Sequence, residues 1–254
     1  FPDREIAYRY EILRQRGTKT FLTGRGCPNP CTFCHNHLAM RMYKGKGKWT
    51  RKRNPQNVID EILEIERRYP PLRVVNFEND DDILSDPGWH KEFFRLYRMK
   101  VDKPFYVMTR PDHVSDYVAG LLKGAGCVGA ALSLETANEK IRTRLLKKKF
   151  TTEQFKVAME AFAKNDIPVK VYNMVGIPGE TLDDALHTLR LNVSTGAKWA
   201  MCSILQPYPP SDIFEYCKNK GLLKQGFHVD DYEAYYLESS VLDIPQIDQM
   251  VNLQ

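Results

Sequence analysis

Cys27, Cys31 and Cys34 crowd into the stretch GRGCPNPCTFCHN that begins at Gly24. An odd cluster of three thiols cannot pair off as disulfides. The other cysteines, Cys127, Cys202 and Cys217, are scattered among apolar neighbours, as suits a reducing cytoplasm. A structural zinc site needs four closed ligands, and His35 or His37 could supply the fourth. Such sites usually draw on two ligand pairs from separate turns, and the chain has no second CxxC or HxxxH pair. Spacings of three and two residues on one loop let three thiolates reach three corners of a compact cube. An iron–sulfur cluster therefore fits the motif better than zinc. With three cysteines, one iron has no protein ligand and can take a substrate or cofactor directly. That is the pattern of a reactive cluster.

Such a loop needs a rigid frame, and the rest of the sequence supplies one. Six short apolar segments read as buried parallel strands: TKTFLT from Thr18, RVVNFE from Arg73, FYVMTR from Phe105, CVGAALSLE from Cys127, PVKVYNMVG from Pro168 and WAMCSILQ from Trp199. Amphipathic segments alternate with them. NPQNVIDEILEIERRYP offers Asn54 as N-cap, Pro55 in the first turn, and Val58, Ile62 and Ile65 at helical spacing. TTEQFKVAMEAFAKND opens with a capping box of Thr151 and Gln154. Thr181 caps GETLDDALHTLRLNV, whose first turn is acidic. DPGWHKEFFRLYRM and SDYVAGLLKGAG fill the remaining gaps. Alternation of this kind predicts an α/β domain with a parallel sheet curled into an open barrel. Ligands of such folds gather at the carboxyl ends of the strands. The cysteine loop follows the first strand and so lies on that rim.

The chain has 254 residues, enough to bury a substantial core, and its 43% hydrophobic and 27% charged content is that of a folded domain. No apolar run is long enough for a bilayer and no signal peptide opens the sequence, so the expected compartment is cytoplasmic. The net charge of +5 is mild and much of it sits in YKGKGKWTRKR, Tyr43 to Arg53. A solvated basic loop is the simpler reading of that run than a nucleic-acid contact. Residue 1 is Phe, so the sequence reads as part of a longer protein.

The cysteine motif at this place in a six-stranded α/β chain resembles the radical S-adenosylmethionine (SAM) superfamily. Further blocks follow in order: NFENDD, ETANEKIR, YNMVGIPGETLDDAL and CSILQPYPPSDIFEYCKNKGLL. Together they are similar to the cobalamin (B12)-dependent group of that superfamily, from about Phe1 to Gly221. The resemblance implies a partial (β/α)6 barrel of the radical SAM type with a C-terminal helical extension. Residues 1–17 would be a linker following an upstream B12-binding domain, 18–215 the core and 216–254 the extension. The cobalamin-domain signature D-x-H-x-x-G is not found in the chain.

The resemblance also implies roles. Cys27, Cys31 and Cys34 would bind a [4Fe-4S] cluster, and Phe33 would lay its backbone against adenine. Glu78, Asn79 and Asp80 would receive the methionyl amine of SAM, where the family more often has two acids. Ser133 and Glu135 would address its ribose and amino-acid portions; Ala137 follows where glycine is common. Lys148 stands where relatives carry an arginine that clasps the carboxylate; it keeps the charge and loses the two-pronged contact. Gly176 belongs to the adenine-contacting turn, and Gln206 lines the same rim. His35 and His37 would cover the cluster; His90, His113, His187 and His228 have no ligand spacing.

The implied activity is reductive cleavage of SAM to methionine and a 5′-deoxyadenosyl radical, followed by hydrogen abstraction from an unactivated carbon and, with cobalamin, C-methylation. The implied partners are a small-molecule or natural-product substrate and an electron donor such as flavodoxin or ferredoxin, with no membrane and no nucleic acid. Two alternatives stand beside it: a radical SAM cyclase, oxidase or rearrangement enzyme without methyl transfer, and a non-catalytic iron–sulfur or zinc protein.

Overall fold

A computed structural model gives the fold and describes residues 1–78, 82–232 and 238–253. Its strands are β1 (Thr18–Phe21), β2 (Gly24–Arg25), β3 (Arg51–Lys52), β4 (Val74–Phe77), β5 (Phe105–Thr109), β6 (Cys127–Glu135), β7 (Val169–Val175) and β8 (Trp199–Ile204). The helices are α1 (Glu5–Tyr8), α2 (Glu11–Arg14), α3 (His35–Met42), α4 (Pro55–Arg68), α5 (Pro87–Lys100), α6 (Asp116–Gly124), α7 (Thr152–Lys164), α8 (Leu182–Ser194), α9 (Asp212–Asn219) and α10 (Ile247–Val251). No helix is long and apolar enough to cross a membrane among the described residues.

All six expected strands form one parallel sheet in the order β1-β4-β5-β6-β7-β8. Sequential neighbours joined by helices place those helices on one face and leave the other as a lumen. β1 and β8 are the two edges, so the barrel is partial and open. The capping chemistry forms as the sequence predicts. Asn54 accepts from the Gln56 N–H, and Thr151 and Thr181 each complete a capping box, with Gln154 and Asp184.

Burial of the strands departs from the reading of fully buried strands. In β1, β4 and β5 only every second residue is sealed. Phe77, Phe105, Val107 and Leu132 are buried against the helices, whereas Asn76, Tyr106 and Met108 face the lumen half-buried or exposed. The apolar composition that looked like a two-sided core supplies lumen walls instead.

The basic run from Tyr43 to Arg53 is only partly solvated loop. Its end forms β3, paired antiparallel with β2, a small ribbon the sequence did not announce. Arg53 and Arg4 both bond the fully buried carboxylate of Glu61 on α4, at 2.5 and 2.6 Å, which ties the first residues and the basic run to the core. The 1–17 segment carries α1 and α2. Among the described residues, the helical content of the C-terminal part is carried by α9, which starts before residue 216, and by the short α10; between them are a 3-10 turn at Val229–Asp231 and a bridge between Leu223 and Leu242.

Candidate functional site

The three cysteines lie between β1 and α3, on the carboxyl rim. Their loop is held from two sides. On one, Gly26 has φ +75° and sits so close to the basic run that an added Cβ would lie 2.4 Å from the Trp49 carbonyl; only glycine takes both the conformation and the contact. The Trp49 indole N–H then donates to the Cys27 carbonyl at 2.9 Å. On the other side, the buried Thr32 donates its N–H to the Leu146 carbonyl (3.1 Å) and its hydroxyl to that of Leu145 (2.8 Å). Its own carbonyl accepts from Ile213 N–H on α9 at 3.0 Å. Cys34 closes the loop as the extended residue that caps α3.

Cys27, Cys31 and Cys34 form no disulfide and share the wall of one cavity of about 240 Å³. The Asn29 amide donates to Cys27 Sγ at 3.3 Å. Burial pushes the Cys31 thiol up to about 11, while the Lys148 and Arg110 cations pull it the other way. Positive charge in the cavity, which an iron centre brings, therefore favours removal of the Cys31 proton. Among the described residues no three His, Cys, Asp or Glu side chains converge on a point that could hold a single ion; the thiols are spread around a hollow.

Of the expected site residues, Phe33, Ser133, Glu135 and Lys148 line the same cavity. Ser133 and Glu135 end β6, where the register with β7 shifts and Glu135 takes φ +69°. A non-glycine residue in that region is strained, and here it turns the carboxylate onto Lys148. Their ion pair is 2.6 Å long and buried. Lys148 is thus already engaged by Glu135, so a ligand carboxylate would share its ammonium.

Glu78 follows β4 but lines a second hollow lower in the lumen. Asn79 and Asp80 lie outside the described residues. Gly176, at φ +74°, faces the C-terminal helix: an added Cβ would lie 2.7 Å from Ile247. Gln206 is buried and donates to the Ser239 carbonyl at 2.7 Å. Neither lines the cysteine cavity. His35 is exposed, and His37 bonds Asp212 of α9 at 3.0 Å.

Asp82 and Arg110 line the cavity without having been anticipated. Asp82 is buried. It accepts from the Thr109 hydroxyl (2.8 Å), the Arg110 N–H (2.5 Å) and the Leu84 N–H (2.8 Å), and lies 3.1 Å from His113. It is the last acid of the run after β4, so the rule that rim residues bind ligands could have found it. Arg110 follows β5 on the same rim and is clamped by Asp112 through two 2.9 Å bonds.

Comparison with known proteins gives the following. The profile of the Radical SAM superfamily matches residues 21–191. An uncharacterised methyltransferase of Pyrococcus horikoshii is 24% identical over 202 residues, 80% of this chain and 42% of that protein. The anaerobic magnesium-protoporphyrin IX monomethyl ester cyclase of Rubrivivax gelatinosus is 25% identical over 234 residues, 89% of this chain and 38% of that protein. The chain thus spans about two fifths of the length of these relatives. Among solved structures, the radical SAM methyltransferase TsrM from Kitasatospora setae, with cobalamin and a [4Fe-4S] cluster bound, aligns with a TM-score of 0.69 at 18% identity, covering 82% of this chain and 38% of that one.

Proposed function

The chain belongs to the Radical SAM superfamily, and we propose that it forms the core of a cobalamin-dependent enzyme that methylates an unactivated carbon. The observation that carries this reading is the sharing of one rim cavity by three cysteines, the Lys148–Glu135 pair and Asp82. The donor set suits a [4Fe-4S] cluster: three sulfurs on one short loop, an amide donating to one of them, and two cations beside another. Cys27, Cys31 and Cys34 would each hold one iron. Bound there, the cluster would supply the electron for cleaving SAM, and cobalamin held outside this cavity would supply the methyl group for the product.

The chain's own residues supply position and enclosure. The Trp49 and Thr32 contacts fix the loop, so the sulfurs stay aimed into the cavity. Ser133 and Glu135 would orient the ribose and amino-acid ends of SAM, with Glu78, Asn79 and Asp80 receiving its amine. Asp82 holds the β5 rim through Thr109 and Arg110. Phe33 packs against a buried apolar cluster that includes Ile141, Leu146, Ile177 and Leu205, a dry wall for adenine. Residues 18–215 would form this core, with cobalamin carried by a module outside the chain and reached through residues 1–17. The substrate would be a small molecule or natural product, and the electron donor a flavodoxin or ferredoxin.

The similarity to a cyclase favours one alternative, a radical SAM reaction without methyl transfer. The test begins with anaerobic reconstitution using iron and sulfide, then dithionite and SAM. The proposal expects a four-iron EPR signal and 5′-deoxyadenosine, both lost in Cys31→Ala. Absence of 5′-deoxyadenosine from material holding the cluster would overturn it. With substrate and cobalamin supplied, a product 14 mass units heavier than substrate separates methylation from the alternative.

A further inference from the structure

Beneath the cysteine cavity the lumen contains a second hollow of about 210 Å³. The two share Met108. Strand register makes the relation explicit. Met108, Ala131, Lys170 and Trp199 are successive partners across β5, β6, β7 and β8, so they form one layer of the lumen face. The next layer toward the rim contains Ser133 and its partner Tyr172. Layers are two residues apart, roughly 7 Å along a strand. A molecule seated in the lower layer therefore reaches the cysteine cavity with a short extension.

The hollow is shaped like a slot. Its floor is β6, where Gly129 and Ala131 present almost no side chain. The Tyr106 ring lies so flat over Gly129 that a Cβ there would be 2.7 Å from it. Tyr106 forms one wall and Tyr172 with Trp199 the other. Two of these rings are open to solvent, Tyr106 at 46% and Trp199 at 56%, although both face the lumen. Large aromatic surfaces left bare around a concavity mark a ligand site.

Charge adds direction. The half-buried Lys170 ammonium sits 4.7 Å over the Tyr172 ring and, among the described residues, has no carboxylate at ion-pair distance. Among the described residues, the carboxylate lining the slot is Glu78, which follows β4, three strands away across the sheet. One end of the slot thus attracts an anion, and the other repels a second one.

We propose that this slot binds the recognition end of the substrate, a planar aromatic ring bearing one anionic group, with the ring between Tyr106 and Trp199 and the anion on Lys170. The orientation of that molecule, reactive end toward the cysteines, rests on the function proposed above; the slot's preference does not. A segment of protein filling the slot is the competing occupant.

The probe is 2-naphthoate, titrated calorimetrically into the full chain beside its neutral amide, 2-naphthamide, and the non-aromatic cyclohexanecarboxylate. The expected result is saturable naphthoate binding, about tenfold tighter than either control. Lys170→Met, which keeps the length of the side chain, should erase the preference for acid over amide. Trp199→Ala should erase the preference for the aromatic acid over the saturated one. No naphthoate binding at millimolar concentration, or unchanged binding in both variants, overturns the inference. The assay needs no cluster. A chain that cleaves SAM but ignores naphthoate sinks the slot alone, and one that binds naphthoate but assembles no four-iron centre sinks the functional reading alone.

Discussion

Lys148 Nζ lies 2.6 Å from Glu135 Oε1, with both side chains about nine-tenths buried in the wall of the cysteine cavity. Each neutralises a charge that would otherwise be stranded. Removing one partner costs more than the pair contributes, because a lone buried charge remains. Lys148→Met should therefore destabilise the chain by about 3–5 kcal/mol in urea unfolding. Adding Glu135→Gln should restore most of that loss. A single variant within 1 kcal/mol of the parent would show that the pair is not held in solution.

Gly26 is the hinge between the cysteine loop and the basic run. Gly26→Ala adds a Cβ 2.4 Å from the Trp49 carbonyl at φ +75°. Gly45→Ala is the control, since Gly45 has φ +79° and nothing within 4 Å. The control should lose only the roughly 1–2 kcal/mol of a left-handed alanine. Gly26→Ala should lose more, and its iron content after reconstitution should fall severalfold while that of Gly45→Ala holds.

Asp82 accepts hydrogen bonds from Thr109 of β5, from Arg110 just after it and from Leu84 of its own loop, with the His113 ring 3.1 Å away. In Asp82→Asn one oxygen becomes a donor facing other donors, which should cost about 2 kcal/mol or more. His113 reports the change. The Asp82 carboxylate 3.1 Å away raises its pKa above the usual value, against burial. NMR titration should find that rise gone in the variant. A native His113 titration there would mean that Asp82 does not govern it.

Glu180, in the turn after β7, accepts from Thr136 and from Ile177 N–H, and burial pushes its carboxyl up to about 7 from 4.5. Between those values the folded chain keeps a proton that the unfolded chain releases. Stability should then fall as pH rises from 4.5 to 7 and level off above, a contribution on the order of 3 kcal/mol. Glu180→Gln should flatten that part of the curve. Urea midpoints at pH 4.5 and 7.5 for both proteins decide it.

Much of this molecule is set by local chemistry and is legible without coordinates. Strand and helix order follows from apolar periodicity and from caps such as Asn54, Thr151 and Thr181, because each acts over a few residues. Three cysteines in one loop likewise stand out as a candidate metal-ligand set by spacing alone. What tertiary structure alone decided depends on residues far apart in sequence. It paired Lys148 with Glu135, brought Asp82 to the rim beside Arg110, and turned Gly176 and Gln206 toward the C-terminal segment. It also converted alternate apolar strand residues into bare lumen walls, since whether a Tyr or Trp is core or cavity is fixed by what the sheet leaves opposite it. Sequence periodicity names the two faces of a strand; only packing determines which face is filled.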